Sequence, residues 1–384
     1  MDQIYALREI ISEYKYGKVG PRGGKGPKPL YLAFMDLKKA FDLVPQQRLF
    51  QKLYGMGVTG KLFRVIRDLF SQNPARVVID GVVSRDFQIK SGVLQGSKLG
   101  PLLFLVFIND LLEELRVTPG ASIDTISVPG LGFADDLVLA AGSPRQLQDM
   151  IRTCEKWAED NLMKFSSSKC KIVVLNRPER GLAFDLAGER LEIVPFWKYL
   201  GIHICRSGTN SFKRYFEQVL KKAQTRLNCI RHYGFHKDGL NPCTALKLYK
   251  LLVRPILEYG AQVIDVYRNW SAPSSVKTRN ISRTHNRDFL KDLEHFQNQA
   301  LKSLLGFPRQ TYPAQVIFHT RVEPIALRLD LLKLRFFWKI KMVDRPGTLT
   351  HTIHTHRFKT LLQIPKGFHH DVFDLCCKYG GFEI

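Results

Sequence analysis

Two stretches of this sequence carry apolar chain directly into acid. Residues 30–35, LYLAFM, lead to Asp36, and residues 131–141, LGFADDLVLAA, are two apolar runs meeting at Asp135 and Asp136. A continuous apolar run of this kind reads as a strand at the centre of a sheet, covered on both faces. The chain must therefore supply a layer on either side of it. The second stretch reads as a hairpin, yet its turn lacks the Asn-Gly or Asp-Gly that tight turns favour. Adjacent like charges repel, which favours protonation or a bound cation. Taken alone, such a turn fits either a metal site or a solvated surface loop.

Asp36 adds a third carboxylate at the end of a buried strand. Hard cations such as Mg2+ take oxygen ligands, keep several waters and bind substrate phosphates. Two of them roughly 3.5–4 Å apart activate an attacking hydroxyl and stabilise the leaving oxygen of an in-line phosphoryl displacement. Carboxylates from two neighbouring strand ends suit that task. Asp42, following Phe41, reads instead as a helix cap or ion-pair partner.

The rest of the composition narrows the partner. Lys and Arg number 58 against 35 Asp and Glu, a formal charge of +23. A surplus that large points to a polyanion, and nucleic acid is the first candidate. An anionic membrane is the competitor, but the basic residues are spread along the chain rather than gathered on one amphipathic helix. The longest apolar stretch, Leu102 to Ile108, is too short to span a bilayer. Cys154, Cys170, Cys205, Cys229, Cys243, Cys376 and Cys377 are odd in number and form no C-x-x-C pair. That pattern argues for a reducing compartment over a disulfide framework. MDQIYALREI lacks the layout of a signal peptide. The expectation is a soluble, intracellular protein with no membrane partner.

Along the chain, residues 2–14 read as an amphipathic helix. The segment 15–29, with five basic residues among glycines and prolines, fits a phosphate-contacting loop or a solvated connector. Residues 46–72 read as helix broken by glycine turns, and 76–89 as a hairpin about Asp80-Gly81. Pro101 to Leu115 reads as a buried helix and 144–163 as an amphipathic one. Residues 171–176 and 197–204 read as strands. From about 210 the character changes to helices rich in Lys, Arg and Leu, interrupted by a polar, basic linker at 269–287.

Five segments in order then carry a resemblance. FMDLKKAFD about Asp36 resembles motif A of the reverse transcriptases of non-LTR (LINE-type) retrotransposons, and GFADD resembles their motif C. Ser91 to Phe104 is similar to motif B, Met163 to Lys171 to motif D, and Phe196-Trp197-Lys198-Tyr199-Leu200-Gly201 to the F-x-x-Y-L-G of motif E. Residues 248–263, 293–317 and 321–340 look like the thumb of the same family. The resemblance implies an α+β right-hand polymerase, with an antiparallel palm sheet under helices, partial fingers and a helical thumb. It divides the chain into fingers and palm over 1–205, thumb over 206–345 and a C-terminal extension over 346–384.

The roles it implies are specific. Asp36, Asp135 and Asp136 would hold two Mg2+ ions, or Mn2+ in their place, with the Leu37 carbonyl a further ligand. Phe41 would be the aromatic gate against a ribose 2′-hydroxyl. Gln95 and Gly96 would lie against template and incoming nucleotide, and Lys169 would protonate the leaving pyrophosphate. Tyr199, Leu200 and Gly201 would form the hairpin that grips the primer end. The implied partners are an RNA template, a DNA primer and dNTPs, and the implied location is the nucleus. Lys98, Gly100, Ser166 and Cys170 stand where the family usually has Pro, Ser, Asn and Thr. The chain also begins too late to include most of the family's basic fingers residues, which implies an N-terminal truncation. A non-catalytic, nucleic-acid-binding remnant is therefore the alternative. His351, His354, His356, His369, His370, Cys376 and Cys377 match neither a zinc knuckle nor a finger by spacing and read as structural.

Overall fold

The computed structural model describes residues 1–16, 27–71, 74–94, 96–176, 181–206, 213–234, 240–264, 289–342, 345–359, 368–369, 372 and 375–376. Most of the basic loop 15–29, Gln95, the linker 269–287, His370 and Cys377 lie outside the described residues.

The acid-terminated runs meet in one sheet. Strands β1 (Leu30–Asp36), β2 (Gly130–Phe133), β3 (Asp136–Ala141), β4 (Lys171–Leu175) and β5 (Glu192–Ile193) are ordered β5-β4-β1-β3-β2. All neighbouring pairs are antiparallel except β4 with β5. β1 is the central strand and is buried from Leu30 to Met35. Its period of two sends Leu30, Leu32 and Phe34 into one core and Tyr31, Ala33 and Met35 into another. That division is why the run is apolar throughout instead of alternating.

Helices α2 (Gln46–Gly55), α3 (Gly60–Ser71), α4 (Leu99–Val117) and α5 (Pro144–Asp160) belong to the Tyr31 side. Pro144 follows the Ser143 cap, whose hydroxyl accepts from the Gln146 N–H, so α5 starts as an N-capped helix should. α4 departs from the expected fully buried helix: Leu103, Phe104, Phe107, Ile108 and Leu111 are buried, while Leu102 and Leu105 are 58% and 49% exposed. The described neighbours cover one side of its 3.6-residue period and leave the other open. The segment 74–88 is a hairpin with Asp80-Gly81 at its tip, both left-handed, as the sequence suggests. Residues 197–204 form the hairpin that the resemblance implies for Tyr199, Leu200 and Gly201. They fold back as β6 (Phe196–Tyr199) and β7 (Ile202–Cys205) because Leu200 and Gly201 both take positive φ, at +44° and +84°.

The other face carries α1 (Asp2–Tyr16), α6 (Lys213–Gly234), α7 (Pro242–Leu248), α8 (Arg254–Glu258), α9 (Phe289–Leu305), α10 (Pro313–Thr320), α11 (Ile325–Met342) and α12 (Leu349–Lys359). A π-helical turn, Tyr249–Val253, separates α7 from α8. Pro255 has no N–H to continue the ladder, which accounts for the interruption. The apolar core runs without a break from Leu32 through Tyr215, Leu257 and Phe337 to Phe368. The change from sheet to helices near residue 206 is therefore a change of secondary structure inside one core.

α1 differs most from its reading. Expected to be amphipathic, it is buried from Ile4 to Ser12, Arg8 and Glu9 included. The chain's far end covers its polar side. Arg357 donates to Glu9 Oε2 at 3.0 Å and Glu13 Oε2 at 2.8 Å, and the Phe368 N–H donates to Glu9 Oε1 at 3.2 Å. His354 and His369 share a hydrogen bond of 2.8 Å nearby. No helix among the described residues is long and apolar enough to cross a membrane.

Candidate active site

Pairing of β1 with β3 places Asp36 directly opposite Asp136 at the strand ends. Asp135 is one residue away in the β2–β3 turn, beside Ala134 at φ +53°. A left-handed alanine costs on the order of 1 kcal/mol, so this turn is not the one its residues would choose locally. Asp136 is held above the usual carboxylate range, first by burial and then by the charges of Asp135 and Asp36. Asp135 and Asp36 thus raise the proton affinity of Asp136.

One partial answer to that charge is present. The Lys169 ammonium lies 3.3 Å from Asp36 Oδ2. Lys169 is 66% exposed, so the pair stabilises little. Asp36 Oδ2 is itself buried and accepts no well-directed hydrogen bond. Among the described residues, no three His, Cys, Asp or Glu side chains converge closely enough to hold an ion as they stand. The three acids flank one end of the paired strands.

The backbone under Asp36 is fixed by residues 164–170. Lys38 donates its N–H to the Lys164 carbonyl at 2.9 Å, Leu37 bridges to Phe165, and the Ser166 N–H donates to the Asp36 carbonyl at 2.8 Å. The Asp36 N–H points at Cys170 Sγ, 3.3 Å away. This lacing carries Lys169 to Asp36. Cys170 holds the strand end through its sulfur, whereas Ser166 does so through a backbone N–H that any residue but proline would supply.

Phe41 is half-buried, with its ring stacked on that of Phe104 at 4.6 Å and 26°. The Phe41 carbonyl accepts from the Val93 N–H, and the Gly92 N–H donates to the Val44 carbonyl, both at 2.8 Å. A Cβ on Gly92 would meet the Asp42 carbonyl oxygen at 2.8 Å, and its φ is +87°, so only glycine fits there. The segment before α4 is thereby laced to the turn after Asp36. Gly96 is left-handed at φ +80° with open space about it. A Cβ on Gly100 would lie 2.4 Å from the Leu94 carbonyl oxygen, so the serine usual in the family would displace this turn.

At the β6–β7 hairpin, Tyr199 is buried and its hydroxyl is without a partner. Its proton affinity is raised by burial and then by Asp136, which puts the hairpin within the field of the acids. Leu200 and Gly201 form the turn, and Tyr259 holds it. The Tyr259 hydroxyl donates to the Leu200 carbonyl at 2.6 Å, and its ring lies where a Cβ on Gly201 would make a 3.0 Å contact. The Tyr215 hydroxyl donates to the Tyr259 carbonyl in turn. Sequence reasoning missed Tyr259 and Phe104 as site residues. Both sit in segments with ordinary helical patterning, and only long-range contact distinguishes them.

Residues 3–204 match the family model described as reverse transcriptase (RNA-dependent DNA polymerase). The chain belongs to this family. Among curated proteins, this reverse transcriptase chain is 28% identical over 243 residues to the RNA-directed DNA polymerase from mobile element jockey of Drosophila melanogaster, covering 61% of the chain and 26% of the relative. The jockey protein of Drosophila funebris is 27% identical over 282 residues, covering 72% and 28%. The Pol polyprotein of the retrotransposable element R2DM of Drosophila melanogaster is 26% identical over 188 residues, covering 46% and 18%. These relatives make it a reverse transcriptase of the non-LTR, LINE-type kind. The chain spans 18% to 28% of their lengths. Among solved structures, apo telomerase from Candida Tropicalis is similar at a TM-score of 0.44 and 12% identity, covering 91% of this chain and 54% of that one.

Proposed function

We propose that this chain carries out RNA-templated DNA synthesis by two-metal nucleotidyl transfer, with Asp36, Asp135 and Asp136 as metal ligands. The reading rests on one observation: Asp36 faces Asp136 across paired strands with Asp135 adjacent, and both raise the proton affinity of Asp136. The donor set suits a hard cation, being carboxylate oxygens, one of them buried and answered only by the Lys169 ammonium at 3.3 Å. Two Mg2+ ions, or Mn2+ in their place, would supply activation of the primer hydroxyl and charge neutralisation on the phosphates.

The chain's own residues take the remaining roles. Lys169, poised on Asp36, transfers to the triphosphate and donates a proton to the leaving pyrophosphate. Phe41, backed by Phe104, excludes a 2′-hydroxyl. Gln95 and Gly96 lie along template and nucleotide, and Tyr199, Leu200 and Gly201 position the primer end. The substrates are an RNA template, a DNA primer and dNTPs. The relatives' names as RNA-directed DNA polymerases support the reaction.

A second reading, nucleic-acid binding without catalysis, is favoured by the absence of a ready-made three-acid cluster among the described residues. Primer extension on an RNA template with Mg2+ and dNTPs separates the two. Extension by the full chain, abolished by Asp135→Asn with RNA binding intact, is the expected result. RNA binding with no extension by the unaltered chain selects the second reading, and extension unchanged in Asp135→Asn overturns the ligand assignment.

A further inference from the structure

The segment 306–322, GFPRQTYPAQVIFHTRV, spans the α9–α10 loop and α10 and contains no acid. Its backbone is firmly seated. The buried Lys302 donates from Nζ to the Arg309 carbonyl at 2.9 Å, the Phe307 N–H to the Lys302 carbonyl at 3.0 Å, and the Thr311 N–H to the Pro308 carbonyl at 3.1 Å. Val316 and Thr320 fix the inner side of α10 in the core. The outer side is aromatic: Tyr312 is 73% exposed and Phe318 is 78% exposed. Phe318 meets His319 edge-on at 5.4 Å, and His319 lies 6.0 Å from Phe307. Arg309 and Arg321 are exposed at the two ends of the segment. Arg321 is left-handed at φ +50°, with its N–H donated to the Ile317 carbonyl at 2.8 Å, so the turn after α10 is fixed as well.

Large aromatic rings on a firmly seated, Arg-flanked segment that itself carries no acid suit a ligand that offers flat π-faces and negative charge together. Unpaired bases on a phosphate backbone have both, since stacking accepts any base and the cations track the phosphates. A duplex presents its bases only at the edges. We propose that residues 307–321 form a stacking platform for single-stranded nucleic acid, separate from the carboxylate site. The proposal does not rest on the catalytic reading, and binding here is expected to be unaltered in Asp135→Asn.

Photo-crosslinking of the full chain tests it, with single-stranded 20-mers carrying 5-iodouracil bases in one arm of RNA and one of DNA. The expected result is crosslinking at Tyr312 or Phe318, stronger in whichever arm is the natural ligand. Tyr312→Ala and Phe318→Ala should each weaken single-strand binding about fivefold or more, with an unchanged dependence on salt. Arg309→Gln and Arg321→Asn should each reduce the log–log salt slope by about 0.7 instead. Matching thermal unfolding of the variants and the parent keeps folding out of the comparison. Crosslinks confined to other segments, with single-strand affinity unchanged in the aromatic variants, would overturn the platform and leave the rings to a protein partner. Equal weakening of duplex and single-strand binding would overturn it too.

Discussion

Two groups of carboxylates in this reverse transcriptase chain face opposite electrostatic situations. Both carboxylate oxygens of Glu9 and one of Glu13 on α1 are answered, by the Arg357 guanidinium and the Phe368 N–H. Arg357 is 4% exposed and Glu9 fully buried, so the pair is tolerable only because nearly every lone pair and N–H finds a partner. Asp36, Asp135 and Asp136 have one exposed lysine among them, on the buried Asp36 Oδ2, and a raised proton affinity at Asp136. A protein that places acids so differently in one fold is using them differently. The satisfied group fastens residues near the two ends of the chain together, and the proposed function assigns the unsatisfied group to a cation that neutralises it.

The largest expected effect lies at the satisfied group. Arg357→Met should destabilise the chain by about 3–5 kcal/mol in urea unfolding, because it leaves Glu9 buried and unpaired. The double variant Glu9→Leu/Arg357→Met should recover much of that loss. A cost below about 1 kcal/mol for the single variant would erase the contrast. At the unsatisfied group the sign reverses. Asp136→Asn should leave the metal-free chain as stable as the parent or more so, and should remove the stabilisation that Mg2+ gives the parent. That stabilisation is about 2.7 kcal/mol at a metal concentration a hundred times Kd.

The pH dependence follows from the same shift. A carboxyl whose folded pKa is raised favours the folded state fully below the ordinary Asp value and loses that advantage as pH climbs through the raised one. The metal-free parent should therefore lose stability across that interval, and Asp136→Asn should lack this loss in thermal melts followed against pH. The smallest effect is expected at Tyr259→Phe, which removes the hydrogen bond to the Leu200 carbonyl and costs about 0.5–1.5 kcal/mol. In primer extension it should raise the KM for primer more than it lowers kcat. A change in kcat alone would detach Tyr259 from the primer hairpin.

How legible these features were in the sequence depended on the distance between partners. β1, the β2–β3 hairpin and the Asp80-Gly81 tip were readable because period, burial and turn chemistry are local. The pairing of Asp36 with Asp136 was suggested by two apolar runs that end in acid and made specific only by resemblance, since nothing local joins residues a hundred positions apart. Arg357 with Glu9 was invisible for the same reason, and it turned an apparently amphipathic α1 into a buried helix. The hairpin at Tyr199, Leu200 and Gly201 was implied by resemblance, but its brace, Tyr259, was not readable because it lies about 60 residues away. Gly100 read as a departure from the family, whereas the space beneath it admits no side chain.

The central claim is that the acids on β1 and β3 share a cation, and Mn2+ titration of the full chain followed by electron paramagnetic resonance tests it without reference to turnover. The account predicts a saturable Mn2+ site that Mg2+ displaces and that Asp36→Asn and Asp136→Asn each abolish. A site that survives either substitution with its affinity intact would contradict it.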